Sequence, residues 1–334
     1  MPTPALHDLA RKFKDVAPWE VWEETDLIRL IHPQTGEIAH ISIMGEYGEH
    51  RALALYIGYE AFRRYNLMQS DDPCDPEFPE EDRVMLVLET RQLQLAFGQR
   101  NELTADELSD IKKLGLKFRG DNWPMFRSFK PGYAPGALDE AEIEWLTIAL
   151  EQFLQLAPEW DDSPVTTFRI KDDNCDILTR ICQNGIWLST WTEHDGMTFE
   201  WTTPEPSELL IEKIKRHKNL VDLDCHFQIL PALTGPKEKA IFPYIAISVD
   251  AKSGFIFGME LLSVEKQTHK QLIASVPDVF LKQWDNASIR PASIRVRSIT
   301  SYSMLEIAAA DLNTPLRRAN KLPSIENILK NLPI

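Results

Sequence analysis

The 334-residue chain is short of the residues that build staples and phosphate cradles. Its four cysteines, Cys74, Cys175, Cys182 and Cys225, are scattered without a C-x-x-C pair, which argues against both a disulfide framework and a zinc knuckle. Glycine is scarce at 14, and neither G-x-G-x-x-G nor G-x-x-x-x-G-K-[ST] occurs, so dinucleotide and P-loop binding lose their backbone cradle. G-x-S-x-G and H-E-x-x-H are absent too, which removes the familiar serine hydrolase and zinc protease layouts. No apolar run approaches the ~20 residues of a membrane helix, and the opening residues lack the apolar core of a signal peptide. Basic residues are few: 36 against 51 acidic ones leave a net charge of −15, which repels a phosphate backbone overall. The expectation is a reduced, cytoplasmic protein without a membrane segment.

What is present is a 43% apolar content, 22 prolines, nine tryptophans and a length of about two domains at roughly 150 residues each. Leu6, Leu9, Ala10 and Phe13 recur at helical spacing over 4–16, ended by Ala17-Pro18. Residues 26–32 and 38–44 read as a β-hairpin, followed by a strand at 51–57 and a helix at 58–68. The acid- and proline-rich run 71–82 reads as a surface loop, and the apolar run 83–89 as a buried strand. Thr104-Ala105-Asp106-Glu107 is a capping box opening a helix that ends at Gly115. Then come a strand at 124–130, a rigid turn at 131–136, and a helix through Leu156 with Asp139 as its N-cap. The run 157–164 is the expected boundary between modules 1–160 and 165–334.

The second module opens with strands at 165–170, 176–183, 186–192 and 197–203, the second and third joined by an Asn184-Gly185 hairpin turn. A basic-ended helix from Pro206 leads to a strand at 223–230. Strands at 244–250 and 255–262, a helix at 265–285, a strand at 293–298, a helix at 302–312, a short strand at 315–319 and a helix at 323–332 complete it. The fold class is α+β, with mixed sheets packed against helices in two modules.

The order β-β-β-α-β-α-β-α over about 223–332, with YIAISVDAKSGFIFGMELL, the helix after it and RP-x-x-I-x-V, resembles the ribonuclease H-like or integrase-core fold. Separately, APWEVWEETDLIRLIHPQTGEIAHISIMGEYGEHRALALYIGYEAF with MFRSFKPGYAPGALDEAEI, and RPASIRVRS through NKLPSIENIL, are similar to a bacterial family of two modules of unknown function. That second resemblance brings no activity. The first implies phosphodiester cleavage by two metal ions on carboxylates, one central on the first strand and one ending the fourth. The expected first strand, His226 to Pro231, holds no acid, and the fourth ends in Ser298. Asp250, Glu260 and Glu326 remain, with Asp250 read as starting the Asp-Ala-Lys-Ser-Gly turn. A degenerate domain without metal or cofactor is the expectation.

Glu46, Glu49 and His50 share the loop 45–50 and suit acid–base work if a cleft gathers them, or else a solvated strand connection. Arg127 and Tyr133 suit an acidic group, or else an ion pair and packing on the proline turn. Arg295 and Arg297 share a strand face by alternation and belong to a stretch, 290–334, with seven basic and three acidic side chains. That face reads as solvated, as a dock, or as a nucleic-acid contact, the last disfavoured because no aromatics interleave for base stacking. Trp187 and Trp191 share one face and Trp201 follows on a neighbouring strand, as sheet packing or as an exposed platform. The expected function is non-enzymatic action through a protein partner. A metal-dependent phosphodiesterase and nucleic-acid binding by the basic C-terminal face are the alternatives.

Overall fold

The computed structural model describes residues 2–69, 80–160, 165–171, 174–194, 202–236 and 240–332. It divides into two compact units, one of Met1–Gln69, Thr90–Lys130 and Pro135–Thr198, the other of Ser70–Glu89, Pro131–Ala134 and Phe199–Ile334.

In the first unit, α1 (Pro4–Val16) starts where the Thr3 hydroxyl accepts the Leu6 amide and stops where Ala17 turns left-handed. Then follow β1 (Ile28–Ile31), β2 (Ile38–Met44), β3 (Ala52–Ile57) and α2 (Gly58–Met68). The next helix, α3 (Glu80–Glu89), belongs to the second unit. The first unit resumes with β4 (Gln92–Gly98), α4 (Ala105–Lys113), β5 (Trp123–Phe129), α5 (Glu140–Leu156), β6 (Phe168–Lys171), β7 (Asn174–Gln183) and β8 (Ile186–His194). Its eight-stranded sheet runs β5-β4-β3-β2-β1-β7-β6, with β8 also on β7. The helices α1 and α5 close one face through Leu6, Phe13, Leu150 and Phe153, while α2 lays Phe62 and Tyr65 on the other. Thr104 makes the reciprocal capping bonds expected of it, and Asp139, the expected N-cap, makes them with Glu142 as well.

Residues 168–194 extend this first sheet past the expected boundary at 157–164. The reason is one parallel contact, Arg29 opposite Thr179 and Leu30 opposite Arg180, which buries Ile177 and Leu178 in the first unit's core clusters. Polar, proline-bearing composition marks an exposed connection, and here the core continues on its far side.

Residues 83–89 form a helix, not the expected strand. Asp82, Met85, Leu86 and Glu89 are buried at helical spacing in α3, and Glu80, Glu81 and Asp82 favour its N-terminal dipole. An unbroken apolar run does not by itself choose between the two periods. Most of the acidic run 71–82 and most of the expected strand 197–203 lie outside the described residues.

The second unit continues with α6 (Glu208–Arg216), β9 (Asn219–Ile229), β10 (Tyr244–Asp250), β11 (Ile256–Leu262), α7 (His269–Asn286), β12 (Ile289–Val296), α8 (Ile299–Asp311), β13 (Leu316–Arg318) and α9 (Pro323–Lys330). The sheet order is β11-β10-β9-β12-β13, antiparallel from β9 to β11 and parallel from β9 through β12 to β13. Side chains of α6, α7 and α8 bury one face around Phe227, Phe280 and Trp284, each contributing roughly 2–3 kcal/mol. Leu322 and Ile325 of α9 and its approach cover Ile245, Ile247 and Val249 on the other.

The turn expected at 131–136 is in part a clip of this unit. The Ala134 amide donates to the Ala240 carbonyl at 2.9 Å and the Phe242 amide to the Gly132 carbonyl at 3.0 Å. Gly132 has φ +77°, and a Cβ there would stand 2.9 Å from Val264 Cγ1, so both backbone and space demand glycine.

The first strand of this sheet also corrects an expectation. It begins at Asn219, so the acid-free stretch from His226 is only its second half: the strand carries Asp224, already inside the expected 223–230, and Asp222 before it.

Candidate functional site

Alternation along β9 sends Leu223, Cys225, Phe227 and Ile229 into the core and sets Asp222, Asp224, His226 and Gln228 on the opposite face. Asp224 is fully buried, and Arg295 opposite it on β12 grips it with both arms, Nε donating to Oδ1 at 2.7 Å and Nη2 to Oδ2 at 2.9 Å. Such a bidentate, charge-assisted pair is the strong form of the contact. The hydrogen bond to Asp224 raises the Arg295 pKa further. Asp222 accepts from the Ser293 hydroxyl at 2.5 Å. Arg297, one residue beyond β12, lies 3.4 Å from Glu81 on α3 and 3.8 Å from Glu326 on α9.

Two titratable groups complete the cluster. Burial lowers the pKa of His226 against the pull of Glu81, so its imidazole is neutral at pH 7. Asp82 on α3 is buried and accepts the Ile299 and Thr300 amides at 2.9 and 3.2 Å, capping α8 from a distant part of the chain. Burial outweighs those bonds and pushes its carboxyl up to about 6.

The metal chemistry that the ribonuclease H-like resemblance implies does not fit these residues. Asp224 is engaged by a guanidinium, and at the end of the fourth strand the Ser298 hydroxyl accepts the Ser301 amide to cap α8. Asp250 accepts the Lys252 and Ser253 amides of its own turn at 2.7 and 2.9 Å, bonds that hold its carboxyl below the usual range. Among the described residues no group of three or more His, Cys, Asp or Glu is placed to hold a metal ion. What the face can do is tie α3 and α9 to the sheet through charge.

In the first unit, Glu46, Glu49 and His50 are brought together. They line a cavity of about 300 Å³ with Glu23, Glu24, Tyr47 and Gln69. Nearby Asp26 has its carboxyl raised by burial and by Glu23 and Glu46. Arg127 forks onto Glu107 of the α4 capping box. Tyr133 donates its hydroxyl to the Val264 carbonyl at 3.0 Å within the second unit. Trp187 and Trp191 are half-buried against the first core, with the Arg169 guanidinium 3.7 Å above Trp191, while Trp201 lies outside the described residues. The site residues read from sequence thus fall in separate places. Asp224, Asp82 and Glu81 escaped that reading, and the alternation Asp222-Leu223-Asp224-Cys225 was the signal for the first of them.

Among the described residues no helix is long and apolar enough to cross a membrane. No curated protein and no solved structure matches the chain. Two family models do: a domain of unknown function, DUF7309, over residues 4–180, and another, DUF6930, over residues 210–333. The first match ends within β7, so it takes in the parallel β1–β7 contact, and it also contains α3, which packs in the second unit. Since that match covers more than half of the chain, the protein belongs to the DUF7309 family, with a DUF6930 domain as its second module.

Proposed function

We propose that the protein acts by binding a protein partner, and that its second unit is a ribonuclease H-like module whose carboxylates serve structure in place of metal chemistry. The sheet order β11-β10-β9-β12-β13 supports the fold reading, and the Asp224–Arg295 pair supports the loss of chemistry. Arg290 donates to the Lys215 and Leu312 carbonyls, so with Arg295 and Arg297 three of the basic residues of the C-terminal stretch are engaged internally, which weakens the nucleic-acid alternative.

The observation that carries the binding reading is the edge strand β11. Among the described strands it pairs with β10 alone, and past a register shift its residues 258–262 run in regular pairing, leaving outer backbone groups open. Around it Phe255, Ile256, Met259 and Leu261 are 64%, 41%, 49% and 64% exposed. Edge strands are ordinarily shielded by lysine or proline, and this one offers Glu260 as its one charge. An extended apolar segment adding as a sixth strand would satisfy the backbone and cover those side chains.

The test is selection of peptides from a displayed library against the full chain. Recovery of alternating apolar sequences whose binding is abolished by M259K/L261K, with stability within about 0.5 kcal/mol, supports the reading. Recovery of no binders, or of binders indifferent to that variant, overturns it. Manganese-dependent cleavage of a nucleic acid, lost in D224N, overturns the claim about the carboxylates.

A further inference from the structure

Between α1 and the segment 116–122, which leads from α4 to β5, the first unit holds a cleft of about 310 Å³. Phe97, Leu116 and Phe118 give it apolar walls, and Arg11, Lys14, Lys117 and Arg119 give it a basic rim. Arg11 pairs with Asp8 at 2.6 Å and Lys14 stands 3.6 Å from Asp15. Neither Lys117 nor Arg119 has an ion-pair partner among the described residues. Asp8 and Asp15 also line the cleft, so four basic and two acidic side chains leave it at +2, a local reversal of sign on a chain of net charge −15, and a cleft focuses such a field.

A second, independent observation concerns a residue of the same cleft. His7, on α1, lines it, is only 4% exposed, and has a buried Nδ1 without a hydrogen-bond partner. A buried polar atom left unpaired carries a desolvation cost. The ring is fixed, edge-on to Phe126 at 5.1 Å and 6.4 Å from Phe118. Burial lowers its pKa, so it meets a ligand as a neutral imidazole.

The walls are also pre-formed. Arg51 holds Asp121 through its side chain at 2.8 Å and its carbonyl at 3.0 Å, and the Asn122 amide side chain donates to the Arg119 carbonyl at 3.1 Å. Little of the segment has to be ordered when something binds.

We propose that this cleft binds a small organic anion with a flat apolar body, its charge held by Lys117 and Arg119, its ring against Phe118 and Phe97, and a polar edge on His7. The volume sits at the low end for ligand sites, which suits one ring system with one anionic group. Nucleoside monophosphates and aryl carboxylates share that chemistry.

Calorimetry on the full chain separates them, with AMP, CMP and benzoate as ring-bearing anions, and adenosine and inorganic phosphate as halves. The expected result is one-to-one binding of at least one ring-bearing anion, about tenfold or more tighter than either half. That affinity falls as salt rises from about 50 to 200 mM. It drops at least about tenfold in K117Q/R119Q, two exposed positions whose change leaves the melting temperature unaltered. H7F, which keeps the packing and removes the ring nitrogens, weakens it several-fold. Binding of phosphate as tight as that of every ring-bearing anion, indifference to K117Q/R119Q, or no binding by any ring-bearing anion overturns the proposal.

Discussion

Replacing Arg295 with methionine tests the electrostatic account of the second sheet directly. The change keeps most of the side-chain volume and leaves the fully buried Asp224 carboxylate with no cation against it. Removing one partner of a buried ion pair costs about 3–5 kcal/mol, because the remaining charge stays desolvated. The Arg295 side chain is itself 31% exposed, so the pair is partly screened and the lower figure, about 3 kcal/mol, applies. D224N should cost less, about 1–2 kcal/mol, since a guanidinium at the surface can turn to water. The double variant D224N/R295M leaves no buried charge, so it should cost less than the two singles together, with a coupling of about 2 kcal/mol. Urea unfolding of the four full-length proteins measures this. With a slope of about 2 kcal/mol per molar, R295M should lower the relevant midpoint by about 1.5 M. A coupling below about 0.5 kcal/mol, the value of an exposed pair, would refute the reasoning, because Asp224 would then be a solvated carboxylate free for other work.

Two buried carboxylates should respond to pH with opposite signs. Asp82 titrates at about 6, above its ordinary value near ~3.9, so its contribution is largest below pH ~4 and is lost as pH rises towards 6; D82N should remove that fall, about 3 kcal/mol, from stability measured across pH 4–7. Glu142 on α5 is raised by burial but held below the usual range by the Asp139 amide, Lys130, Ser128 and Arg91. Its contribution is present above pH ~4.3 and lost on further acidification, and E142Q should flatten the acid limb of a melting-temperature profile. G132A should cost about 1–3 kcal/mol through backbone strain and the Val264 clash, against about 1 kcal/mol for G36A, where φ is +72° but nothing lies within 4 Å; equal losses in thermal melts would show that the Val264 approach is loose.

Much of the fold was legible because its signals are local. Thr104 and Asp139 announce their helices through a hydroxyl or carboxylate followed three residues later by glutamate, and Asn184-Gly185 marks the β7–β8 hairpin, with Asn184 at φ 52°. What escaped depends on distant partners. The helix over V-M-L-V-L goes with distant contacts, Met85 in the second unit's core and Asp82 on the amides of Ile299 and Thr300, which no window around residue 85 contains. Strand β4 does carry a local signal, the alternation Gln92-Leu93-Gln94-Leu95, whereas the apolar run before it at 83–89 shows no period that separates helix from strand. Asp224 as a buried charge has the same kind of cause: the cation that pairs with it, Arg295, stands 71 residues on. The loop holding Glu46, Glu49 and His50 was found from composition alone, whereas the cleft at His7 joins α1 to a segment more than a hundred residues later.

The second unit's use of α3 and of residues 131–134 bears on how the chain is made. During synthesis α3 leaves the ribosome long before β9 and α8 exist, so Met85 and Asp82 must wait for the strand and the helix amides that receive them. The nascent first half therefore carries α3 before the core that buries Met85 exists. For the same reason the two family segments are not interchangeable cassettes: a gene fusion that moved residues 210–333 alone into a new host would leave behind two pieces of its own core.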